Sequence, residues 1–266
     1  MKKMIVVDLD GTLLDNHKQY DVSTTEYLKQ RKEEGHIIVI ATGRILPSAL
    51  KVTDNAYFAN YIIASAGTLI YDVESQKILL KSTLNNYVLK LIGKLSTAFK
   101  EVDFLSEHTL YSLGNTKMPL FYEQKITIKQ VTSLKDVTQI SIHLYHDKWI
   151  QSYRQILAKY MPDISIRIMQ DSKKPHRWLF ITNPDQNKYT MITLLAEKNH
   201  IKLSDVIAFG DGLNDLEMLS KLPVSVAMGN ALEEVKQVAK YQTTSNEEQG
   251  ILKFLKTVEK DGPGMV

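Results

Sequence analysis

Short apolar runs alternate with amphipathic stretches at both ends of the chain. The runs near the amino terminus are KMIVVDL, HIIVIAT and YIIAS, and those near the carboxyl terminus are DVIAFGD and VSVAM. Continuous apolar runs of this length are typical of strands that are buried on both faces of a parallel sheet. The stretch between the first two runs predicts a helix, which begins at a capping box of Ser23 and Glu26 and ends at Gly35.

The middle of the chain has a different pattern. In QISIHLYH, Ile140, Ile142 and Leu144 fall on one side of a strand, while Ser141 and His143 fall on the other. ISIRIMQ and RWLFITN alternate in the same way, and two amphipathic stretches could cover the apolar side. This pattern predicts a sheet with one covered and one open face.

The whole pattern predicts an α/β protein with an insertion. Residues 1–83 and 185–266 would form a doubly wound, Rossmann-like core with a parallel sheet, because strands and helices alternate there. Residues 84–184 would form an inserted α+β domain.

Composition narrows the class of protein further. The chain has 266 residues, 44% of them hydrophobic, and a net charge of +3, too small to favour nucleic acid as a partner. Cysteine is absent, which excludes disulfides and thiolate metal sites. No apolar run is long enough to span a membrane, and the run near the start is too short for a signal peptide. We therefore expect a cytoplasmic protein with neither nucleic acid nor a membrane as its partner, and the oligomeric state stays open.

Four of the predicted strands are followed by polar or glycine residues at the end where parallel sheets bind ligands. These residues are Asp8 and Asp10, then Thr42, Gly43 and Arg44, then Ser65 and Gly67, and finally Asp211, Asn214 and Asp215. Two carboxylates about 4 Å apart repel each other by ~4 kcal/mol at an effective dielectric constant near 20. A cation would relieve this repulsion, and an all-oxygen set of ligands favours Mg²⁺, which also attracts phosphate groups.

Three other interpretations of these motifs fit less well. DLDGTLLDNHKQ opens like a calcium loop, but Leu13 and Gln19 stand where that loop needs Gly and Glu. GDGLND resembles a dinucleotide-binding loop, but Asp215 replaces its third Gly and Asp211 would repel a pyrophosphate. A simple strand-end turn would explain one D-x-D-G alone, but it does not explain the second acidic cluster.

Taken together, the motifs resemble those of the haloacid dehalogenase superfamily of phosphatases, in the Cof-type group with a large α+β cap. The matching stretches are DLDGTLL, ATGR, the lysine of DQNKYTMITLLAE, FGDGLNDLEML and AMGNA. Their order and spacing cover essentially the whole chain, and the combination is highly specific although each motif alone is weaker.

The resemblance implies a catalytic role for four residues. Asp8 would attack phosphorus and become an aspartyl phosphate, and Asp10 would act as general acid and then as general base. Thr42 and Lys188 would hold the transferring oxygens and spread their charge.

The resemblance also implies a magnesium site. Asp8, the carbonyl of Asp10 and Asp211 would bind Mg²⁺, Asp215 would bind it directly or through water, and Asn214 would orient the site. The substrate-binding residues implied are Thr42, Gly43, Arg44, Lys188 and Asn214.

Some residues depart from the family pattern. SAGT places Ala66 and Thr68 where relatives usually carry Asn and Ala, and Tyr189 follows Lys188 in place of Gly. Neither change removes a catalytic group.

The resemblance further implies that the inserted domain selects the substrate. Within it, the basic segment SKKPHR at residues 172–177 could bind an anion or form a solvated turn, and the second interpretation is favoured because Lys and Arg are normally exposed.

The expected function is a Mg²⁺-dependent phosphatase that acts on small phosphorylated metabolites, such as sugar phosphates or phosphorylated cofactors. A phosphomutase is one alternative, because similar caps occur in phosphomannomutases. A regulator that binds phosphosugars with little turnover is another, although Asp8, Asp10, Lys188 and Asp211 are all present.

Overall fold

The computed structural model describes residues 2–96, 99, 101–107, 109–114, 124–129, 131, 134–144, 150–170 and 177–261. The chain forms two compact units, Met1–Leu80 with Asn187–Val266, and Lys81–Gln186. The expectation that the inserted unit selects the substrate stays a prediction. Most of the basic segment 172–177 and the carboxyl-terminal residues 262–266 lie outside the described residues.

The strands and helices alternate in the first unit, as the apolar pattern predicts. The strands are β1 (Met4–Val7), β2 (Ile37–Ala41), β3 (Tyr61–Ala64), β4 (Leu69–Asp72), β5 (Lys77–Lys81), β6 (Glu101–Leu105), β7 (Thr109–Leu113), β8 (Gln124–Thr127), β9 (Gln139–Leu144), β10 (Ser165–Gln170), β11 (Arg177–Thr182), β12 (Val206–Gly210), β13 (Val224–Ala227) and β14 (Tyr241–Gln242). The helices are α1 (Val22–Glu33), α2 (Leu46–Val52), α3 (Asn86–Leu95), α4 (Ile150–Tyr160), α5 (Lys188–Lys198), α6 (Leu216–Lys221), α7 (Glu233–Val238) and α8 (Gly250–Asp261).

The sheet of the first unit has eight strands in the order β14–β13–β12–β1–β2–β3–β4–β5. The strands from β14 to β3 pair in parallel, whereas β4 pairs with β3 antiparallel. Strands β1, β2 and β12 are buried along their whole length, which explains their uninterrupted apolar sequences. The predicted doubly wound α/β core is confirmed, with an antiparallel extension that the apolar pattern did not predict.

The order of the strands places a crevice beside β1. The chain runs from β1 outward to β2 and β3, and it later returns through β12 and continues outward on the other side. Ligands bind at such a switch point, beyond the carboxyl ends of the strands. The residues that follow β1 and β12 are therefore in the favoured place for a ligand site.

The predicted start of α1 is wrong by two residues. Asp21, rather than Ser23, is the N-cap, and its side chain accepts a hydrogen bond of 2.7 Å from the backbone N–H of Thr24. Ser23 therefore lies within the first turn of the helix, where it cannot cap the first free N–H groups. Gly35 has a φ of +92° just after the helix, as its predicted place at the helix end requires.

The second unit contains a six-stranded sheet in the order β10–β11–β9–β6–β7–β8. The apolar residues of β9 and β11 pack with those of α3 and α4 into a separate core. The opposite face was predicted to be open, but Ser141 on that face is 0% exposed. Among the described residues of both units, no helix combines the length and apolar character that crossing a membrane requires.

Candidate active site

Asp8 and Asp211 of the site each follow one of two adjacent strands. β12 pairs with β1 in parallel, and the backbone N–H of Asp8 continues this ladder with a hydrogen bond of 3.1 Å to the carbonyl of Phe209. Asp211 follows β12 at the same edge of the sheet. The carboxylates of the two sequence motifs therefore converge, as the order of the strands requires.

Lys188 lies between two carboxylates at the start of α5. Its Nζ donates to Asp8 Oδ1 at 2.5 Å and to Asp215 Oδ1 at 2.7 Å. All three side chains are almost completely buried. Asn187 caps the helix by accepting a hydrogen bond of 2.8 Å from the N–H of Thr190. The cap fixes the start of α5 and thereby the position of the ammonium group.

The loop after β3 also determines where α5 begins. Gly67 has a φ of +103°, and a Cβ at this residue would lie 2.5 Å from the carbonyl carbon of Asn187. A side chain there would displace the start of the helix, so glycine permits this close approach. The neighbouring Ala66 has a φ of +56°, a conformation in which the usual family residue, Asn, is less strained than Ala.

Asp215 organises the loop after β12. Its Oδ2 accepts hydrogen bonds from the N–H groups of Asp211 at 3.1 Å and Gly212 at 3.0 Å. A Cβ at Gly210 would lie 2.6 Å from the Asp215 Cγ, so the side chain packs directly against the end of the strand. Asp215 therefore both binds Lys188 and fixes the backbone that carries Asp211.

Burial and mutual repulsion raise the pKa of two of the carboxyl groups. For Asp8, burial raises the pKa well above its ordinary value; the ammonium of Lys188 opposes this, and Asp215 and Asp211 reinforce it. For Asp211, burial and then the charge of Asp215 raise the pKa to about 6, although Thr12 donates a hydrogen bond of 2.8 Å to its Oδ1. For Lys188, burial lowers the pKa, but Asp215 and Asp8 more than offset it and the net shift is upward.

Asp8, Asp211 and Asp215 form a cluster that could hold a metal ion. Each offers one oxygen, and the three oxygens lie within 4.8 Å of one another. Three carboxylates face the single ammonium of Lys188, so the cluster carries more negative charge than Lys188 can neutralise. This repulsion adds to burial, the larger cause, in raising the pKa of Asp8 and Asp211. Oxygen-only ligands and excess negative charge fit a hard divalent cation.

The side chain of Asp10 lies in a different environment from that of Asp8. Its carboxylate accepts two hydrogen bonds from Arg44, at 2.6 Å and 2.7 Å, and one from Lys18 at 2.8 Å. Burial raises its pKa, but the hydrogen bonds and charges of Arg44 and Lys18 outweigh burial and lower the pKa overall. Arg44, which we expected to contact substrate, here holds the ionised form of Asp10.

The remaining predicted residues follow β2 and β12 at the same edge of the sheet. Thr42 is buried, and its Oγ1 accepts a hydrogen bond of 3.1 Å from the N–H of Arg44. Gly43 is exposed, and a Cβ there would lie 3.7 Å from the amide nitrogen of Asn214. Thr42, Gly43 and Asn214 thus lie in the same unit as the carboxylates, and their roles toward substrate stay predictions.

Three residues of the site carry contacts that the sequence interpretation missed. Thr12 donates to Asp211, and Lys18 pairs with Asp10. Asn230 donates a hydrogen bond of 2.7 Å to the carbonyl of Gly11 and so ties down the loop after β1. Asn230 lies in the AMGNA motif, which could have drawn attention to it, whereas Lys18 carries no such signal.

Replacement of Gly11 by Ala should damage the site sterically. Gly11 has a φ of +88°, and a Cβ there would lie 2.2 Å from Asp211 Oδ2. We expect the free energy of unfolding to fall by about 2 kcal/mol or more, because backbone strain and a displaced carboxylate add together. Chemical denaturation of the purified variant measures this change.

Gly35→Ala is the matched control for this prediction. Gly35 has a similar φ of +92°, but a Cβ there would meet nothing within 4 Å. It should therefore show the strain alone. Equal losses of stability in the two variants would show that the contact with Asp211 contributes nothing.

Comparison with solved structures shows that this chain shares its fold with phosphatases. The phosphatase BT1666 from Bacteroides thetaiotaomicron matches with a TM-score of 0.79 and 25% identity, covering 97% of this chain and 95% of that one. The subclass IIB sugar phosphatase BT4131 matches with a TM-score of 0.77 and 25% identity, covering 97% of this chain and 99% of that one.

Comparison of sequences gives the family. The model of haloacid dehalogenase-like hydrolases matches residues 5–255. The 5-amino-6-(5-phospho-D-ribitylamino)uracil phosphatase YitU of Bacillus subtilis is 26% identical over 264 residues, which are 95% of this chain and 96% of that protein. The chain therefore belongs to the haloacid dehalogenase-like hydrolases, in the Cof-type group, and is a phosphoric monoester hydrolase. The family predicted from the motifs is confirmed.

Proposed function

We propose that this protein is a Mg²⁺-dependent phosphatase that hydrolyses small phosphorylated metabolites through an aspartyl phosphate on Asp8. The observation that carries the proposal is the cluster of Asp8, Asp211 and Asp215, in which Asp8 and Asp215 are buried and Lys188 lies between these two. YitU is named for a phosphorylated ribitylamino compound and BT4131 for sugar phosphates, which supports a small phosphorylated metabolite as substrate.

Asp8 is the best nucleophile in the site. Its backbone is fixed in the ladder with β12, and Lys188 holds one of its oxygens at 2.5 Å. The other oxygen can attack phosphorus and form the covalent intermediate. Burial favours the neutral form of Asp8 and raises its pKa, whereas the ammonium of Lys188 favours the ionised form that this attack requires.

Asp10 is suited to move the proton. The hydrogen bonds from Arg44 and Lys18 favour its ionised form, which is the form that takes a proton from the attacking water in the second step. Protonation of the leaving oxygen in the first step requires a protonated Asp10. We propose that this occurs when Arg44 and Lys18 release the carboxylate.

Thr42 and Lys188 would stabilise the oxygens of the transferring phosphoryl group. Lys188 supplies a buried positive charge, and Thr42 supplies a hydroxyl that donates a hydrogen bond. Gly43, Arg44 and Asn214 would line the space that the substrate occupies.

Asp8, Asp211 and Asp215 would hold Mg²⁺ by their side chains, and Asp10 would add its carbonyl. When bound there, Mg²⁺ would neutralise the excess charge of the cluster and draw the phosphate oxygens toward Asp8. Thr12 would orient Asp211 through the hydrogen bond to its Oδ1.

Removal of divalent metal should lower phosphatase activity by about 100-fold or more, the size of effect found when a major electrostatic stabiliser is lost. The measurement is release of phosphate from p-nitrophenyl phosphate after dialysis against a chelator, and then after addition of MgCl₂. Recovery with MgCl₂ shows that the loss is due to metal. Full turnover in metal-free buffer would contradict the magnesium requirement.

A screen of phosphorylated metabolites for released phosphate tests the substrate class. We expect at least one small phosphate ester to be hydrolysed with a higher kcat/KM than p-nitrophenyl phosphate. Interconversion of hexose phosphates without phosphate release would instead favour a phosphomutase.

A further inference from the structure

A turn near the carboxyl terminus contacts the loop that follows β1. Residues 245–249 form this turn, which we call the C-terminal turn, and residues 9–21 form the loop, which we call the β1 loop. Asp10, Thr12 and Lys18 all lie in the β1 loop. Contacts that fix the backbone of the β1 loop therefore also fix the points from which these three side chains extend.

The side chain of Asn246 holds the β1 loop directly. Its Nδ2 donates a hydrogen bond of 2.9 Å to the carbonyl of Leu14, although 232 residues separate the two in sequence. Leu14 is 0% exposed, and its backbone forms one bridge with Asp10 and another with Tyr20. The contact from Asn246 therefore reaches the backbone beside Asp10.

Asn246 holds the same loop a second time through Asn230. The backbone N–H of Asn246 donates to Asn230 Oδ1 at 3.0 Å, and Asn230 Nδ2 donates to the carbonyl of Gly11 at 2.7 Å. An amide side chain can accept and donate at once, which a carboxylate cannot do. A Cβ at Gly229 would lie 2.8 Å from the backbone nitrogen of Ser245, so this glycine permits the AMGNA segment to contact the C-terminal turn.

The C-terminal turn does not need the Asn246 side chain for its own structure. Ser245 donates to Glu248 Oε2 from its backbone N–H at 3.2 Å and from its hydroxyl at 2.7 Å, which is a capping box. The N–H of Gly250 donates to the carbonyl of Ser245 at 3.1 Å and closes the turn. A substitution at Asn246 should therefore leave the turn folded and remove its contact with Leu14.

We propose that Asn246 is a positioning residue for proton transfer by Asp10, an inference that rests on the proposed function. Asn246 acts through the backbone of the β1 loop. Asp8 and Lys188 are held by the ladder with β12 and by the cap of α5, so loss of the contact moves Asp10 more than it moves these two. Proton transfer needs hydrogen-bond distance, and a misplacement of ~1 Å can cost ~100-fold in rate.

Kinetics with two aryl esters test this role. Phenyl phosphate and p-nitrophenyl phosphate share a ring, but phenolate is the poorer leaving group and needs a proton more. In Asn246→Asp, which keeps the shape and removes the donor, kcat/KM should fall by about 10- to 100-fold with phenyl phosphate and by less than about threefold with p-nitrophenyl phosphate. A loss of stability alone would lower both values equally.

Two further variants serve as controls. Asn199 is half-buried like Asn246, and its Nδ2 donates at 2.8 Å to the carbonyl of Leu195 at the end of α5. Asn199→Asp removes the same kind of hydrogen bond and adds the same charge, and it should leave the ratio of the two kcat/KM values unchanged. Asn246→Ala removes the hydrogen bond without adding charge, and it should show the same selective loss as Asn246→Asp.

Hydrogen exchange measures the loop without relying on activity. The N–H groups of Leu13 and Leu14 donate to the carbonyls of Asp8 and Leu9 at 3.2 Å and 2.8 Å, so their exchange reports opening of the β1 loop. Mass spectrometry of the peptide that contains them should show exchange that is about tenfold faster in both Asn246 variants. It should show no change in Asn199→Asp.

The outcomes separate the inference from the proposed function. A wild-type protein that is inactive with every ester contradicts the proposed function, and the role of Asn246 in proton transfer falls with it. If the wild-type protein is active, equal losses with both esters or unchanged exchange in the Asn246 variants overturn the inference alone. A selective loss in Asn246→Asp but not in Asn246→Ala assigns the effect to the added charge and also overturns it.

Discussion

Asp8→Asn should abolish formation of a phosphoenzyme and slow the release of phosphate by about 10⁴- to 10⁶-fold, as removal of a covalent nucleophile does in other enzymes. The amide has nearly the shape of the carboxylate, and its oxygen can still accept the hydrogen bond that Lys188 now donates to Asp8 Oδ1. The protein should therefore fold, while the charge needed for attack on phosphorus is lost. Acid-quenched reactions followed by mass spectrometry measure the phosphoenzyme and locate the phosphate.

Asp10→Asn is the natural control, because it changes the same group in the same loop and keeps Asp8. A labelled peptide from the wild-type enzyme should carry the phosphate on Asp8. Phosphate trapped on the Asp8→Asn protein, or found on Asp10, would assign the nucleophile to another residue.

The convergence of Asp8 with Asp211 could be predicted because it depends on sheet topology. Uninterrupted apolar runs indicate parallel strands, and polar residues after such strands collect at one edge. The sequence pattern does not predict the positions of side chains, such as that of Lys188 between Asp8 and Asp215, and the structure supplies them. Position alone would have favoured a solvated lysine, and only the order of the motifs indicated otherwise.

The contacts of Asp10 could not be predicted, because they depend on side chains brought together by turns. Lys18 itself has a φ of +63°, and its side chain contacts Asp10 from this conformation. The sequence around Lys18 does not predict such a conformation. The short strands β4 to β8 were missed for a similar reason, since sequences such as LIYD and QKIT have no clear period. The burial of Ser141 was missed because polar residues that alternate with apolar ones normally face water.

Asp10→Asn should separate the two steps of the reaction. Asn can neither donate a proton as an acid nor accept one as a base, and help of this kind is worth about 10²- to 10⁴-fold. An aryl phosphate has a good leaving group that needs little protonation, whereas the alkoxide of a sugar phosphate needs it. The loss in rate should therefore be much larger with glucose 6-phosphate than with p-nitrophenyl phosphate.

The second step of the reaction, hydrolysis of the aspartyl phosphate, should show whether Asp10 is the general base. With p-nitrophenyl phosphate, the Asp10→Asn enzyme can still form the aspartyl phosphate but lacks the carboxylate that deprotonates water, so the intermediate should accumulate. Arg44 and Lys18 now stabilise the ionised Asp10, which is the form needed at this step. Arg44→Lys keeps the charge but loses the two-point contact with Asp10, and it should show a smaller loss without accumulation. The expected signature is a burst of nitrophenol equal to the enzyme concentration, followed by slow turnover. Equal losses of rate with both esters and no burst would show that Asp10 does not transfer protons.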